Sequence, residues 1–426
     1  MVFLLLSSFY FIYKYLRKTC HLEYSNPKYF KNYYDRLKRR RRKYFFEKLS
    51  LLNWKKPYSL VSLLRWFQKD LVYLTKWSLN VILQIRRYGP AIRREYGRSY
   101  WSQWKGIMYV KFVLRCDPKH YRTRLLFKKE NLQLIDDFAL QHYPLQRKLA
   151  ELSSKSELSI LKNKFEFNQY CVSENIPTPE ILAVIESGEV TYQLFDDFIP
   201  HKSVFIKKLS GGGGDGTNRF KYVNGTYRDR TNSYSSEQLK DKLKEISLSN
   251  GAIIIQPMLK NHNSWAKFTP GSLATCRIVT AKMPNDLNIV PLFCCFRMPA
   301  GDLVADNYSL GGIIAPVDIS TGKLGVAVSS TPKKGKFEFT KHPDTCNQID
   351  GAILPYWDDI LKFTLDVHQH FKTLFIGWDV SLTTKGCSMI EGNVTWASCS
   401  YEIPFQDSLK NTAYPELFEK WMEKYE

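Results

Sequence analysis

The chain has 426 residues, 44% of them hydrophobic, with 22 Gly and 19 Pro, enough for one large or two ordinary cores, which excludes global disorder. The formal charge of +21 is uneven: residues 1–130 hold 31 Lys and Arg against 7 Asp and Glu, and residues 131–426 hold 31 against 34. No apolar run approaches the ~20 residues of a spanning helix, which excludes a polytopic membrane protein, and nine scattered Cys without a CxxC pair suggest a reducing cytoplasm rather than a zinc ribbon or disulfide framework.

The first apolar run, Val2 to Tyr13, is broken by Ser7 and Ser8, and its cations Lys14, Arg17 and Lys18 follow it. A signal peptide has the reverse order, so this stretch is expected to be retained, and any dip into a membrane would leave the remainder on the cytoplasmic side. Lys38-Arg39-Arg40-Arg41-Arg42-Lys43 comes next, flanked by Tyr33, Tyr34, Tyr44, Phe45 and Phe46. From Ser59 to Arg87, Leu60, Leu64, Phe67, Leu71, Leu74, Val81 and Ile85 recur at helical spacing, predicting a helix or helix pair stopped by Gly89-Pro90. Residues 1–150 thus read as a basic, mainly helical region. Its stripe either packs on the body with its charges solvated, or docks on an anionic membrane surface, making the protein peripheral on the inner face of the cytoplasmic membrane. No helix-turn-helix, zinc-finger or RNP signature speaks for nucleic acid.

Residues 203–227 contain the most informative loop. A β-prone run, Ser203 to Ser210, leads into Gly211, Gly212, Gly213 and Gly214, and Arg219 to Tyr227, with its Asn224-Gly225 turn, leads out. This predicts a glycine flap between two strands. Its backbone N–H groups can converge on an anion, and the adjacent Lys207 supplies a point charge for phosphate. Gly211, Gly213 and Gly216 satisfy GxGxxG, but a dinucleotide fingerprint needs a helix next and a P-loop needs a closing Gly-Lys-Ser/Thr; neither is present. A flexible hairpin tip is the plain alternative. Further on, Cys294-Cys295 reads as part of a buried strand.

Near the C-terminus, Tyr356 to Leu374 has helical spacing, Phe375 to Leu382 reads as strand, and a Thr-Thr-Lys-Gly turn leads to Cys387-Ser-Met-Ile-Glu-Gly-Asn393. Glu391 and Asn393, two apart, share one face, and Asp379 on the neighbouring strand can face the same way. Two carboxylates and an amide oxygen make a hard-oxygen site suited to Mg²⁺ completed by nucleotide phosphates. Residues 406–426 are expected to form a helical tail.

Over roughly residues 150 to 405 the chain resembles the ATP-grasp superfamily, and more closely its sugar-transfer-associated branch. The matching pieces are Leu161-Lys-Asn-Lys164, Asn175 to Pro179, the Lys207 flap, Ile253 to Leu259, Ser272 to Thr280, Asp306-Asn307 with Gly311-Gly312, His342-Pro343, Gly377 to Asp379 and Ile390 to Asn393. The resemblance implies an α+β fold in which two lobes, 151–258 and 259–405, sandwich ATP. It implies that Lys164 and Lys207 contact the α and β phosphates, that Gly211 to Gly214 close over them, and that the hinge at Gln256, Met258 and Leu259 binds adenine through its backbone. Arg277 would meet phosphate, Asp379, Glu391 and Asn393 would hold Mg²⁺, and His262, Asn307, His342 and Asp344 would lie near the acceptor or the flap. The implied activity is an ATP- and Mg²⁺-dependent ligase that activates a carboxylate, such as that of an amino acid, as an acyl phosphate. It would join this to an amine, hydroxyl or thiol, with a sugar or polysaccharide acceptor in bacterial surface polysaccharide or capsule biosynthesis. The rivals are a kinase of a sugar or polyol hydroxyl and a non-catalytic basic adaptor.

Overall fold

The computed structural model describes residues 79–425, apart from 114–116, 135–145, 147–148, 151, 153–154, 212–215, 270, 304–305 and 307. The expectations for Val2 to Tyr13, the Lys38 to Lys43 run, Gly212 to Gly214 and Asn307 lie outside the described residues. Two seven-stranded antiparallel sheets and their helices make an α+β fold.

The first sheet comprises β1 (Ala183–Glu186), β2 (Glu189–Gln193), β3 (Val204–Lys208), β4 (Asn218–Val223), β5 (Thr226–Arg228), β6 (Ser233–Tyr234) and β7 (Ile253–Pro257), in the order β2-β1-β7-β3-β4-β5-β6. The flap therefore joins two antiparallel strands, β3 and β4, paired Val204 to Phe220. Asn224 and Gly225, at φ 49° and 79°, form the two-residue turn between β4 and β5; positive φ at both positions is what that turn requires. Below this sheet lies a helix, Ser236–Asn250, opened by a capping box in which Ser235 and Gln238 satisfy each other's backbone N–H. Its Leu239 and Leu243 bury against Val204, Ile206, Phe220 and Tyr227; on the other face Val184 and Ile254 pack with Phe165 and Tyr192, and the rest of that face is left to the cleft and solvent.

The second sheet comprises β8 (Thr275–Lys282), β9 (Ile289–Met298), β10 (Ile313–Val317), β11 (Ala327–Lys333), β12 (Lys336–Phe339), β13 (Phe375–Thr383) and β14 (Gly386–Asn393), in the order β12-β11-β10-β9-β8-β13-β14. It is covered on both faces, so β13 is buried at all nine positions. On one face Ile278, Phe296, Trp378 and Val380 join Ile360, Val367 and Phe371 of the helix Trp357–Gln369. The helices Lys155–Lys162 and Lys164–Ser173 add Leu161, Phe167 and Cys171 to that core. On the other face Val279, Ala281, Phe293 and Phe375 meet Leu417, Phe418 and Trp421 of the C-terminal helix Tyr414–Tyr425. Cys294 and Cys295 are both buried in β9, as the sequence suggested.

The basic front docks on the far end of this second sheet. A helix over 79–96 is followed by another, Tyr100–Met108, and together they place Val81, Ala91, Ile92 and Ile107 against Ile314, Val328 and Phe337. Buried Arg124 pairs with buried Glu402, and Lys128 Nζ and Tyr96 Oη each lie 2.8 Å from a Glu338 carboxylate oxygen. The expectation that Gly89-Pro90 stops the helix is corrected here, since helical backbone continues through both to 96. Gly and Pro penalties of about 1 and 3 kcal/mol are local, and burial of Val81, Ala91 and Ile92 around them offsets these. The Gly89 carbonyl also accepts from Gln103 Nε2 at 3.1 Å.

Candidate active site

Four adjacent strands of the second sheet place one row of polar side chains on the face that α-helical packing leaves open between the front and the C-terminal helix. In the register, Arg277 on β8 lies opposite Asp379 on β13, Asp379 opposite Glu391 on β14, and Thr275 opposite Arg297 on β9. Residues an even number apart share a face, so Arg277 and Asp379 continue the face of Val279 and Phe375. A bulge at Ile390 sets the sidedness of β14. Asp379 pairs with Glu391 but Val380 with Met389, leaving one extra residue on the β14 side. Met389 thereby stays in the core while Glu391 and Asn393 line the cleft.

The first sheet faces this row with Phe205 and Lys207 from β3, Arg219 from β4 and Gln256 from β7. The cleft between has a volume of about 350 Å³, within the ~300–1,000 Å³ of small-molecule sites. Lys164, Lys207, Gly211, Gln256, Met258, Leu259, Arg277, Asp379, Glu391 and Asn393 all line it. Every described residue expected to meet the nucleotide or the metal therefore comes to one place, from segments up to 229 positions apart.

Local contacts hold the lysines. Asn163 caps the helix Lys164–Ser173, accepting from the Phe165 and Glu166 N–H groups. The Lys164 N–H donates to Leu209 O at 3.2 Å and its Nζ to Gly211 O at 2.6 Å, tying the helix start to the base of the flap. Lys207 is buried; desolvation pushes its ammonium down to about 8, which Glu391 opposes across the cleft and neighbouring Lys164 reinforces.

Asp379 is shared by two guanidiniums. Arg277 Nε and Arg297 Nη2 both donate to Oδ1, and Arg277 Nη2 donates to Oδ2 at 2.9 Å. Burial alone would raise this carboxyl, but the two arginines overcome it and hold it below the usual carboxylate range. Beside them Asp306 accepts from Thr275 Oγ1; burial pushes its carboxyl up to about 6, against the pull of Arg297. Arg219 Nη1 donates to Ser272 Oγ at 2.8 Å, a hydrogen bond across the cleft from the first sheet to the start of the second lobe.

The donor set fits Mg²⁺. Asn393 Nδ2 donates to Gly377 O at 3.2 Å, which turns its amide oxygen away from the strand. Glu391, two residues away, lines the cleft, and Asp379 Oδ2, with one arginine contact, retains a lone pair. At the hinge, one expectation narrows: the Met258 N–H donates to Ser203 O at 2.9 Å, extending the β3–β7 ladder, so it is spent on the sheet.

Sequence reasoning passed over Arg297, Thr275 and Arg219 and gave Asp306 no role. Arg297 carried a signal, as the one charge near the end of the apolar β9 run IVPLFCCFRM. By contrast, His262, His342 and Asp344 do not line the cleft. His262 Nδ1 accepts from the Ser264 N–H and caps a turn; buried His342 donates from Nε2 to Pro299 O at 3.0 Å; Asp344 accepts from the Gly301 N–H.

A sequence model of the sugar-transfer-associated ATP-grasp family matches residues 146–415, well over half of the chain. The chain belongs to this family. It therefore has the ATP-grasp fold and falls among ATP-grasp enzymes. No curated protein sequence matches it. Among solved structures, similarity is found to a D-alanine–D-alanine ligase from Bacillus anthracis complexed with ATP, at 13% identity over 69% of this chain and 80% of that one, with a TM-score of 0.38. An N5-carboxyaminoimidazole synthase from Aspergillus clavatus has 9% identity over 57% of this chain and 46% of its own, with a TM-score of 0.31. An L-amino acid ligase from Bacillus licheniformis has 10% identity over 62% and 48%, with a TM-score of 0.34. The chain spans about half the length of the last two.

Proposed function

We propose that this ATP-grasp protein is a ligase that uses ATP and Mg²⁺ to activate a carboxylate as an acyl phosphate and joins it to an amine, or to a hydroxyl or thiol. The carrying observation is the convergence of Lys164 and Lys207 with Arg277, Arg297, Glu391 and Asn393 on one cleft. Phosphoryl transfer from ATP asks for positioning and charge neutralisation, and this set offers four cations and a hard-oxygen site without needing a protein nucleophile.

In this reading Lys164 and Lys207 bind the α and β phosphates, and Gly211 to Gly214 present backbone N–H groups above them. The hinge at Gln256, Met258 and Leu259 lies along adenine; with the Met258 N–H committed to the sheet, the Leu259 N–H and the Met258 carbonyl are the edge groups that remain. Asp379, Glu391 and Asn393 would hold Mg²⁺, which when bound neutralises triphosphate charge. Arg277 and Arg297, held in place by Asp379, face the phosphoryl group in transit. A donor carboxylate oxygen attacks the γ phosphorus, the bond to ADP breaks, and the acceptor then displaces inorganic phosphate from the acyl carbon. The family's association with sugar transfer supports a sugar or polysaccharide acceptor, in the making of a surface polysaccharide or capsule, and the donor in this reading is an amino acid or similar carboxylate.

Incubating the protein with ATP, Mg²⁺, pooled amino acids and cell-surface sugars tests this. A ligase releases ADP and inorganic phosphate in equal amounts, dependent on both substrates. Phosphate retained on a sugar would instead identify a kinase, and no nucleotide turnover under any combination would remove the enzymatic reading.

A further inference from the structure

Residues 79–134 of the front hold 13 Lys and Arg against 3 Asp and Glu. Its inner face is accounted for, with Val81, Ala91 and Ile92 buried on the second sheet. Its outer face is not polar, as solvation alone would favour. Leu79, Ile82 and Leu83 are 63%, 58% and 56% exposed, and with Arg86 and Arg93 they stand at spacings of three, four and seven, one stripe of the helix over 79–96. This stripe runs on into the next helix. The Arg93 guanidinium lies 5.3 Å from the ring centre of Tyr100, itself 42% exposed, and neighbouring Trp101 is 61% exposed. Trp101 stacks on Trp104 with 4.8 Å between ring centres, and Lys105 Nζ lies 5.2 Å from its ring centre.

We propose that this stripe, from Leu79 to Trp101, docks on the surface of an anionic lipid bilayer. The helix over 79–96 is about 27 Å long and lies along the body, so it presents its outer face flat to a plane rather than an end. Aliphatic side chains beside a Trp and Tyr with cations at their edges match the layering of a bilayer interface, where apolar groups enter, aromatics sit at headgroup level and Lys or Arg meets anionic lipid. Single-stranded nucleic acid would use the cations and the rings but leaves Leu79, Ile82 and Leu83 without a role. Charge complementarity carries the choice of an anionic surface, and the aliphatic end carries the choice of lipid over a polymer.

The test uses the full chain with Lys38, Arg39, Arg40, Arg41, Arg42 and Lys43 replaced by Gln, so that the earlier basic run cannot mask the stripe. Sedimentation is followed with vesicles of phosphatidylcholine with and without phosphatidylglycerol. This background is expected to bind only the anionic vesicles, more weakly as salt rises. Adding Ile82→Asp, Leu83→Asp and Trp101→Ala should weaken binding by about 100-fold, combining lost apolar contact with two new anions. All three sites are exposed, and an unchanged melting temperature checks the fold. Independently, brominated phosphatidylglycerol should quench less tryptophan emission in Trp101→Phe than in the parent. The idea fails if the background does not bind, if the triple variant binds as well as the background, if quenching is the same in both proteins, or if single-stranded RNA binds in preference and displaces the vesicles.

Discussion

The two sheets share an antiparallel plan and differ in what covers them. β2 alternates exposed and half-buried positions, while β13 is buried at every one of its nine residues. The covered sheet carries Arg277, Arg297, Asp379, Glu391 and Asn393 side by side, where registers on four strands fix their spacing. The half-covered sheet contributes Lys207 and the flap, groups that reach over rather than form a floor. Charges that must sit within a few ångströms of each other are best mounted where both faces of the backbone are packed, and a covering loop where one face is free.

Removing an oxygen donor from the covered sheet gives the largest expected effect. Glu391→Ala or Asn393→Ala should lower Mg²⁺-dependent ATP turnover by about 1,000-fold with an unchanged melting temperature; turnover kept in the double variant would break the assignment of floor and cover. Trp378→Ala opens the core beneath that floor and should lower stability by about 3–5 kcal/mol in urea unfolding. Tyr192→Ala in β2 should have roughly half that effect, and equal losses would deny the difference in burial.

A third contrast is acid sensitivity. Buried His368 accepts the Thr280 hydroxyl at Nδ1 and donates from Nε2 to Thr373 O, while Trp378 Nε1 donates to Thr280 Oγ1, so the ring is neutral in the fold. Burial pushes its imidazole down to about 3, below the ~6.5 of an unfolded chain. Between these values the unfolded state binds the extra proton, so stability is full above about pH 6.5 and falls towards pH 3, with a slope approaching 1.4 kcal/mol per pH unit. Urea midpoints across that range should be flatter in His368→Gln. The smallest effect is expected from Arg219→Ala, which removes the hydrogen bond across the cleft. It should raise the KM for ATP by about fivefold with little change in kcat, and a matching loss of kcat would place Arg219 in the chemistry instead.

Much of this could be read from the sequence where the signal was local. The hairpin ending in Glu391 and Asn393 follows from a turn between two β-prone runs, and the strand after the flap from the Asn224-Gly225 pair. The arginine pair on Asp379 could not be read that way, because 102 and 82 residues separate its members and only the strand order of the sheet joins them. The helix that continues past Gly89-Pro90 failed for a related reason: local penalties were visible, but the partners that outweigh them, Ile314, Val328 and Phe337, lie more than 200 residues further on. The Met258 N–H looked available because a hinge is recognised by its sequence, and its acceptor Ser203 by strand pairing.

The extra residue at Ile390 has an implication for how this chain tolerates changes in length. Residues added to or lost from the turn around Thr384 and Lys385 alter only how far the hairpin projects. If this strand paired without the bulge, strict alternation would put Met389 and Glu391, two residues apart, on the same side: either the thioether would enter the cleft or the acid would be forced beneath the sheet against Trp378. Homologues should therefore vary at the turn and, at the second place, either keep the bulge or lose the extra residue with it, since both leave Met389 and Glu391 on opposite sides.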